Sequence, residues 1–141
     1  SYYQPSQLEK REDSLNHNQL KSFSEIVQTL RKRNVELILV YAPIPRVNYD
    51  TFTNKSYFDS LMKGYSKYYN FNEILTLSDS FHFYDSHHLN QNGVEIFNKK
   101  LIEFLKAEHV YGDNEWKYVN TLSLGGRTHT SCRLIQFGLI K

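Results

Sequence analysis

The stretch NVELILVYAPIP, residues 34–45, decides the fold of this chain. A run of about seven apolar and β-branched residues is typical of a strand. Because apolar residues occupy both faces of this predicted strand, it fits the buried interior of a parallel sheet. Pro43 and Pro45 end the run, since proline has no backbone N–H with which to bond a neighbouring strand.

Helical periodicity flanks the predicted strand on both sides. Apolar residues at three- and four-residue steps predict helices at residues 16–33, at 55–69 and from Gln91 to about residue 108. Ser14 or Asn16 can cap the first of these helices. The run FNEILTL, residues 71–77, predicts a second strand, and residues 78–90 predict a loop. This alternating order predicts an α/β fold with helices packed on a parallel sheet.

The composition limits the classes of partner. The chain has 141 residues, and 17 Lys and Arg are scattered among 15 Asp and Glu. This near balance gives no electrostatic footprint for nucleic acid or for an anionic membrane. No apolar run approaches the roughly 18 residues that span a bilayer, so we expect no membrane contact from this chain itself. Cys132 is the single cysteine, which excludes an internal disulfide and a paired-cysteine zinc site.

The stretch FYDSHHLNQNG, residues 83–93, carries the candidate chemistry. A histidine that acts as a general base needs one ring nitrogen facing the reacting proton and the other bonded to an acceptor. Asp85 precedes His88 by three residues, so in an irregular loop its carboxylate can fold back and accept from the ring. Asn90 stands where the next helix needs a cap, and Gly93 lets another segment approach closely.

The block DSHHLNQNGVEIFNKKL resembles the last conserved block of the SGNH (GDSL-like) hydrolases and acyltransferases. The resemblance is carried by Asp85, His88, Leu89, Asn90 and Gly93. More loosely, residues 34–45 and 71–85 are similar to the last strands and loop of that family. Together these segments cover about residues 14–110.

The resemblance implies a fold, a function and two catalytic residues. The fold would be a partial three-layer SGNH-like domain with a parallel sheet. The function would be hydrolysis of an ester, or transfer of an O-acyl group, on an acylated carbohydrate of the cell envelope or outside the cytoplasm. His88 would deprotonate a serine and later the incoming water or sugar hydroxyl, and Asp85 would orient His88. No metal or organic cofactor is implied.

The chain departs from the family pattern at the nucleophile. Members carry a serine in a Gly-Asp-Ser block after the first strand, and a glycine and an asparagine that complete the oxyanion hole. None of these is identifiable here, because the pairs Asp13-Ser14 and Asp79-Ser80 lack the preceding glycine and strand. We therefore expect the C-terminal half of such a domain, inactive without an N-terminal half. The strand VELILVYA would then be an unprotected edge or be covered by the segment after Gly112.

Residues 111–141 have a different composition from the rest of the chain. Four of the six glycines lie between Gly112 and Gly138. One interpretation is a hairpin around Gly125 and Gly126, because paired glycines suit tight turns between strands. The other is a tail foreign to the preceding domain.

Several alternatives to the catalytic interpretation remain open at this stage. Asp85 can simply cap a turn in a solvated loop, with His88 incidental. A zinc site would draw its ligands from Asp79, His82, Asp85, His87 and His88. Adjacent histidines diverge, however, and His87 is expected to face solvent. The tyrosine clusters at Tyr2-Tyr3 and from Tyr65 to Tyr69 can stack on sugar rings, but Tyr65 and Tyr68 fall on the apolar helical face and are expected to close the core. A second candidate function is a non-catalytic carbohydrate-binding or assembly module.

Overall fold

The structure, a computed structural model, describes residues 8–12 and 16–108 and the backbone of residues 132–137. Its helices are α1 (His17–Lys32), α2 (Arg46–Tyr49), α3 (Lys55–Tyr65), α4 (Phe71–Ile74), α5 (Asp79–His82) and α6 (Gln91–Ala107). Its strands are β1 (Glu36–Tyr41), β2 (Lys67–Asn70) and β3 (Cys132–Phe137). The described part is therefore of mixed α/β class, as the sequence predicts. None of its helices combines the length and apolar character that a membrane crossing requires.

The described strands form a small parallel sheet with β1 between β2 and β3. On one side, β1 pairs in parallel with β2, and Ile38 lies opposite Lys67. On the other side, β1 pairs in parallel with β3. The sequence allowed the strand VELILVYA to be either an unprotected edge or covered by a segment after Gly112. The structure shows the edge covered, because β3 pairs with β1.

Strand β1 is buried on both faces, as its continuous apolar sequence predicts. Every residue after its first is buried. The face covered by α1, α2 and α3 has a core of Phe23, Val27, Leu37, Leu39, Tyr41, Tyr49, Phe58, Met62 and Tyr68. The face covered by α4 and α6 has a core of Ile38, Val40, Phe71, Phe97 and Leu105. Helices on both faces explain why this strand has no polar face.

The first helix begins and ends with local signals that the sequence carries. Asn16 caps α1, because its side chain accepts from the backbone N–H two residues on at 2.9 Å. After the last turn, Asn34 adopts a left-handed conformation with φ of 53°. The N–H of Val35 then reaches back to the carbonyl of Leu30 at 3.0 Å. This is a Schellman-type ending, with asparagine in the place that glycine usually takes.

The predicted position of the second strand is wrong. FNEILTL, residues 71–77, forms α4 and an irregular segment, while the strand β2 lies earlier, where the sequence predicts the end of a helix. Helix α3 stops at Tyr65 because Ser66 is extended and its hydroxyl donates to the carbonyl of Leu37 in β1. Asn70 then starts α4 by accepting from the backbone N–H two residues on at 3.1 Å.

The C-terminal segment is described only in part. The hairpin predicted around Gly125 and Gly126 lies outside the described residues. The backbone of β3 pairs with β1, so this portion of residues 111–141 contacts the α/β sheet.

Candidate active site

Asp85 and His88 form the hydrogen bond that the sequence predicts. They lie in the loop of residues 83–89, here called the dyad loop. The Nδ1 atom of His88 is 2.9 Å from Oδ1 of Asp85 and 2.8 Å from Oδ2. An ionised carboxylate only accepts, so this contact favours the tautomer with the proton on Nδ1, which leaves Nε2 of the neutral ring as the base. Within the described residues, Nε2 makes no hydrogen bond.

The same carboxylate also closes the turn of the dyad loop. Oδ1 of Asp85 accepts from the backbone N–H groups of His87 at 2.8 Å and His88 at 2.9 Å. The ring of His88, and after it the N–H of His87, lower the pKa of the Asp85 carboxyl. Asp85 therefore caps a turn, as one alternative proposed, and holds the His88 ring with the same atoms.

A short antiparallel pairing determines which side chains the loop presents. Phe83 pairs with Leu89, and the N–H of Tyr84 donates to the carbonyl of His88 at 2.8 Å. The backbone of Tyr84 therefore lies opposite that of His88, and the side chain of Phe83 points into the protein. Exposure agrees, since Phe83 is 1% exposed, Tyr84 is 64% exposed and the His88 side chain is 75% exposed.

The base of the dyad loop is joined to the start of α6. The N–H of Asn90 donates to the carbonyl of His82 at 2.9 Å, and its side-chain amide donates to the carbonyl of Phe81 at 2.7 Å. Asn90 also caps α6 by accepting from the N–H of Gly93 at 3.1 Å. A Cβ at Gly93 would overlap the carbonyl oxygen of His82. Both sequence predictions, a cap at Asn90 and a close approach at Gly93, are confirmed.

Helix α2 also makes hydrogen bonds to the dyad loop and to the helix α5 that precedes it. The side-chain amide of Asn48 donates to the carbonyl of Ser86, in the dyad loop, at 2.6 Å. The carboxylate of Asp79 accepts from the N–H groups of Arg46 at 2.6 Å and Val47 at 2.9 Å. Since α2 follows the carboxyl end of β1, the dyad loop is joined to the edge at which open α/β sheets bind ligands.

A cavity of about 260 Å³ opens at this edge. It is lined by Pro43, Ile44, Arg46, Asn72, Leu75, Thr76 and Leu77. The guanidinium of Arg46 lies 3.0 Å from a carboxylate oxygen of Asp50 and 3.9 Å from one of Glu73, so these acidic groups balance its charge. The cavity therefore lies beside α2 and is lined by both apolar and polar side chains.

The five candidate metal ligands do not converge on one point, because Asp85 and His88 bond to each other and the other three have partners of their own. The carboxylate of Asp79 accepts from backbone N–H groups of α2. The Nδ1 atom of His82 accepts from the backbone N–H of the residue four positions earlier, at 2.8 Å. His87 is exposed, and its Nδ1 lies 2.6 Å from the hydroxyl of the preceding serine. The rings of His87 and His88 meet edge-on, with centroids 6.5 Å apart and planes at 64°. In the part of the chain that the structure describes, no group of three or more His, Cys, Asp or Glu residues is arranged to hold a metal ion.

The described residues supply no nucleophile to His88. None of their serines hydrogen-bonds to its ring. In the Asp79-Ser80 pair, the serine hydroxyl contacts the hydroxyl of Ser78 at 3.3 Å and the aspartate binds α2. The Asp13-Ser14 pair lies outside the described residues. A working dyad therefore needs a serine and oxyanion donors from elsewhere.

The tyrosines proposed for sugar stacking belong to the core instead. Tyr68 is 8% exposed and its hydroxyl donates to Asp59 at 2.8 Å. Tyr65 packs edge-on against Phe23, with ring centroids 5.0 Å apart. The pair Tyr2-Tyr3 lies outside the described residues.

Sequence reasoning missed two neighbours of the dyad. Tyr84 has a local signal, because it directly precedes Asp85 and a three-residue turn places it opposite His88. Asn48 has no such signal, since it reaches Ser86 across 38 positions of the chain.

Comparison with known proteins found no matching family model, no similar curated protein and no similar solved structure. The chemical interpretation of the dyad therefore depends on its geometry and on the resemblance of the Asp-x-x-His-Leu-Asn block.

Proposed function

We propose that Asp85 and His88 are the orienting residue and the general base of an SGNH-type ester hydrolase or O-acyltransferase. One observation carries the proposal. Both carboxylate oxygens of Asp85 contact Nδ1 of His88, while Nε2 makes no hydrogen bond among the described residues. This arrangement fixes the tautomer in which Nε2 can accept a proton.

The proposed reaction proceeds through an acyl-serine. Nε2 of His88 takes the proton of a serine hydroxyl as the serine oxygen attacks the ester carbonyl. The bond from the carbonyl carbon to the alkoxy oxygen then breaks, and His88 returns the proton to the leaving alcohol. Water or a sugar hydroxyl next attacks the acyl-serine, with His88 again taking the proton. The bond from the carbonyl carbon to the serine oxygen then breaks, and His88 returns the proton to that serine oxygen. Asp85 stabilises the imidazolium that forms in both steps.

The serine and oxyanion donors would come from the N-terminal half of a three-layer SGNH-like domain. Two observations support this part of the proposal. No described serine bonds to His88, and the side chains of His88 and Asp85 are 75% and 54% exposed. A working base normally lies in a site from which water is excluded, so a further segment would cover the dyad. This chain alone would then be inactive.

The proposed substrate is an acylated carbohydrate, which suggests a location in the cell envelope or outside the cytoplasm. Support comes from the family resemblance and from Tyr84, whose ring is exposed and whose backbone N–H donates to the carbonyl of His88. An aromatic ring can stack on the apolar face of a sugar while a sugar hydroxyl points to the base. The cavity beside α2, at the same edge of the sheet, has room for a short acyl group.

A second candidate function is a non-catalytic carbohydrate-binding or assembly module. The strong exposure of His88 and Tyr84 favours it, because an exposed hairpin can bind a ligand without any chemistry. The two candidates differ in whether removal of the imidazole abolishes turnover or only weakens binding.

Co-expression of the chain with the segment encoded directly upstream tests the catalytic proposal. Alone, the chain should hydrolyse p-nitrophenyl acetate no faster than free imidazole at the same concentration, because positioning and oxyanion stabilisation supply most of the rate. The upstream segment, with its serine, should restore turnover. His88→Ala should abolish that turnover by at least about 100-fold.

His87→Ala is the matched control, because this neighbouring histidine is exposed and makes no contact with Asp85 through its ring. It should leave turnover nearly unchanged. Equal losses at His87 and His88, together with inhibition by a chelator, would instead show a metal site. An upstream segment without a Gly-Asp-Ser block, and no turnover in the joint chain, would favour the binding module.

A further inference from the structure

Asn48 is the side chain of α2 that contacts the dyad loop directly. Its amide nitrogen donates to the carbonyl of Ser86 at 2.6 Å, and Ser86 lies between Asp85 and His88. Asn48 is itself 2% exposed. Its backbone is held in turn, because its N–H donates to Pro45 at 2.9 Å and its carbonyl accepts from the hydroxyl of Thr51 at 2.6 Å. The dyad loop is thus hydrogen-bonded to the buried amide of Asn48, whose own backbone is held in place.

The other half of the Asn48 amide makes no comparable contact. Its Oδ1 is buried and has no hydrogen-bond partner among the described residues. Burying an acceptor without a partner opposes folding, and this cost offsets the benefit of the single bond to Ser86. A residue selected for stability alone would not need to be asparagine here. Its distinctive contribution is the fixed position of the Ser86 carbonyl.

We infer that Asn48 is a positioning residue, which holds the turn between Asp85 and His88 so that the carboxylate meets Nδ1. This inference rests on the proposed function. The peptide that follows Ser86 supplies the N–H of His87, which is one of the donors to Asp85. Fixing the Ser86 carbonyl therefore fixes the plane of a peptide that Asp85 itself uses, since the peptide unit is planar. Through this contact, the geometry of the dyad depends on β1 and α2.

Replacement of Asn48 in the full chain tests the inference without any need for turnover. Asn48→Leu has nearly the same shape but no donor, and Asn48→Ala provides a second variant. In the unmodified chain, NMR titration should find the Asp85 carboxyl pKa below its ordinary value, because His88 and the N–H of His87 donate to it. Both variants should raise this pKa toward the ordinary aspartate value, while the melting temperature changes little.

Tyr68→Phe is the matched control, because it removes a buried hydrogen bond to Asp59 that is not part of the dyad loop. It should leave the Asp85 pKa unchanged. An unchanged Asp85 pKa in both Asn48 variants would overturn the inference and leave the proposed function intact. Unfolding of both variants would also overturn it, since Asn48 would then serve the stability of the whole fold. A normal Asp85 pKa in the unmodified chain would instead count against the dyad itself.

Discussion

At the scale of single residues, Asp85 gathers three donors from the next three positions: the ring of His88 and the backbone N–H groups of His87 and His88. Because every partner is so near in sequence, the dyad could be predicted from the sequence alone. Asn48 could not, since its contact with Ser86 exists only after β1, α2 and the dyad loop have packed together.

Acid should release the dyad loop when Asp85 becomes protonated. His88 and His87 lower the folded-state pKa of Asp85, so its bonds stabilise the loop fully above the ordinary aspartate pKa of about 3.9. That stabilisation is lost as the pH falls through the lowered folded-state pKa. The chemical shifts of the His87 and His88 amides should report this transition in an acid titration.

Asp85→Asn is the control for this titration. Its side-chain oxygen can still accept from both backbone N–H groups, but it does not titrate. The acid transition of the two amides should therefore disappear. The same transition in Asp85→Asn would assign it to another group.

At the scale of secondary-structure elements, the sequence predicted the long helices α1 and α6 correctly but misplaced the short strand β2. Helices α1 and α6 were predicted almost to the residue, because each carries an apolar stripe and an asparagine cap. The boundary between α3 and β2 was missed. Tyr65 and Tyr68 suit a helical face, but the contact of Ser66 with Leu37 in β1 starts a strand there. Such a tertiary contact leaves no local pattern.

The start of α6 gives an element-scale prediction. Gly93→Ala should destabilise the protein by about 1–3 kcal/mol, because the new methyl group meets a backbone carbonyl that cannot easily move. The matched control is Gly64→Ala in α3, where a Cβ meets nothing within 4 Å. That change should stabilise the protein by about 0.5–1 kcal/mol. Chemical denaturation checks both. Equal effects at the two glycines would contradict the close packing of α6 against His82.

At the scale of the whole molecule, the sheet and the dyad are parts of one arrangement. The burial of β1 on both faces was evident from its sequence, and so was the α/β class. The place of β3 beside β1 was not, because the composition of residues 111–141 allowed a hairpin or an unrelated tail. The segment after β1 leads to α2, which holds both α5 and the dyad loop. The position of His88 is therefore a consequence of the sheet as well as of Asp85.

The tautomer of His88 tests most directly whether Asp85 prepares this ring to act as a base. A proton–nitrogen NMR correlation of the neutral ring should show the proton on Nδ1 and an unprotonated Nε2, because Nδ1 donates to the carboxylate. In Asp85→Ala this preference should be lost. A proton found on Nε2, or the same mixture of tautomers with and without the Asp85 carboxylate, would contradict the proposed role of the dyad.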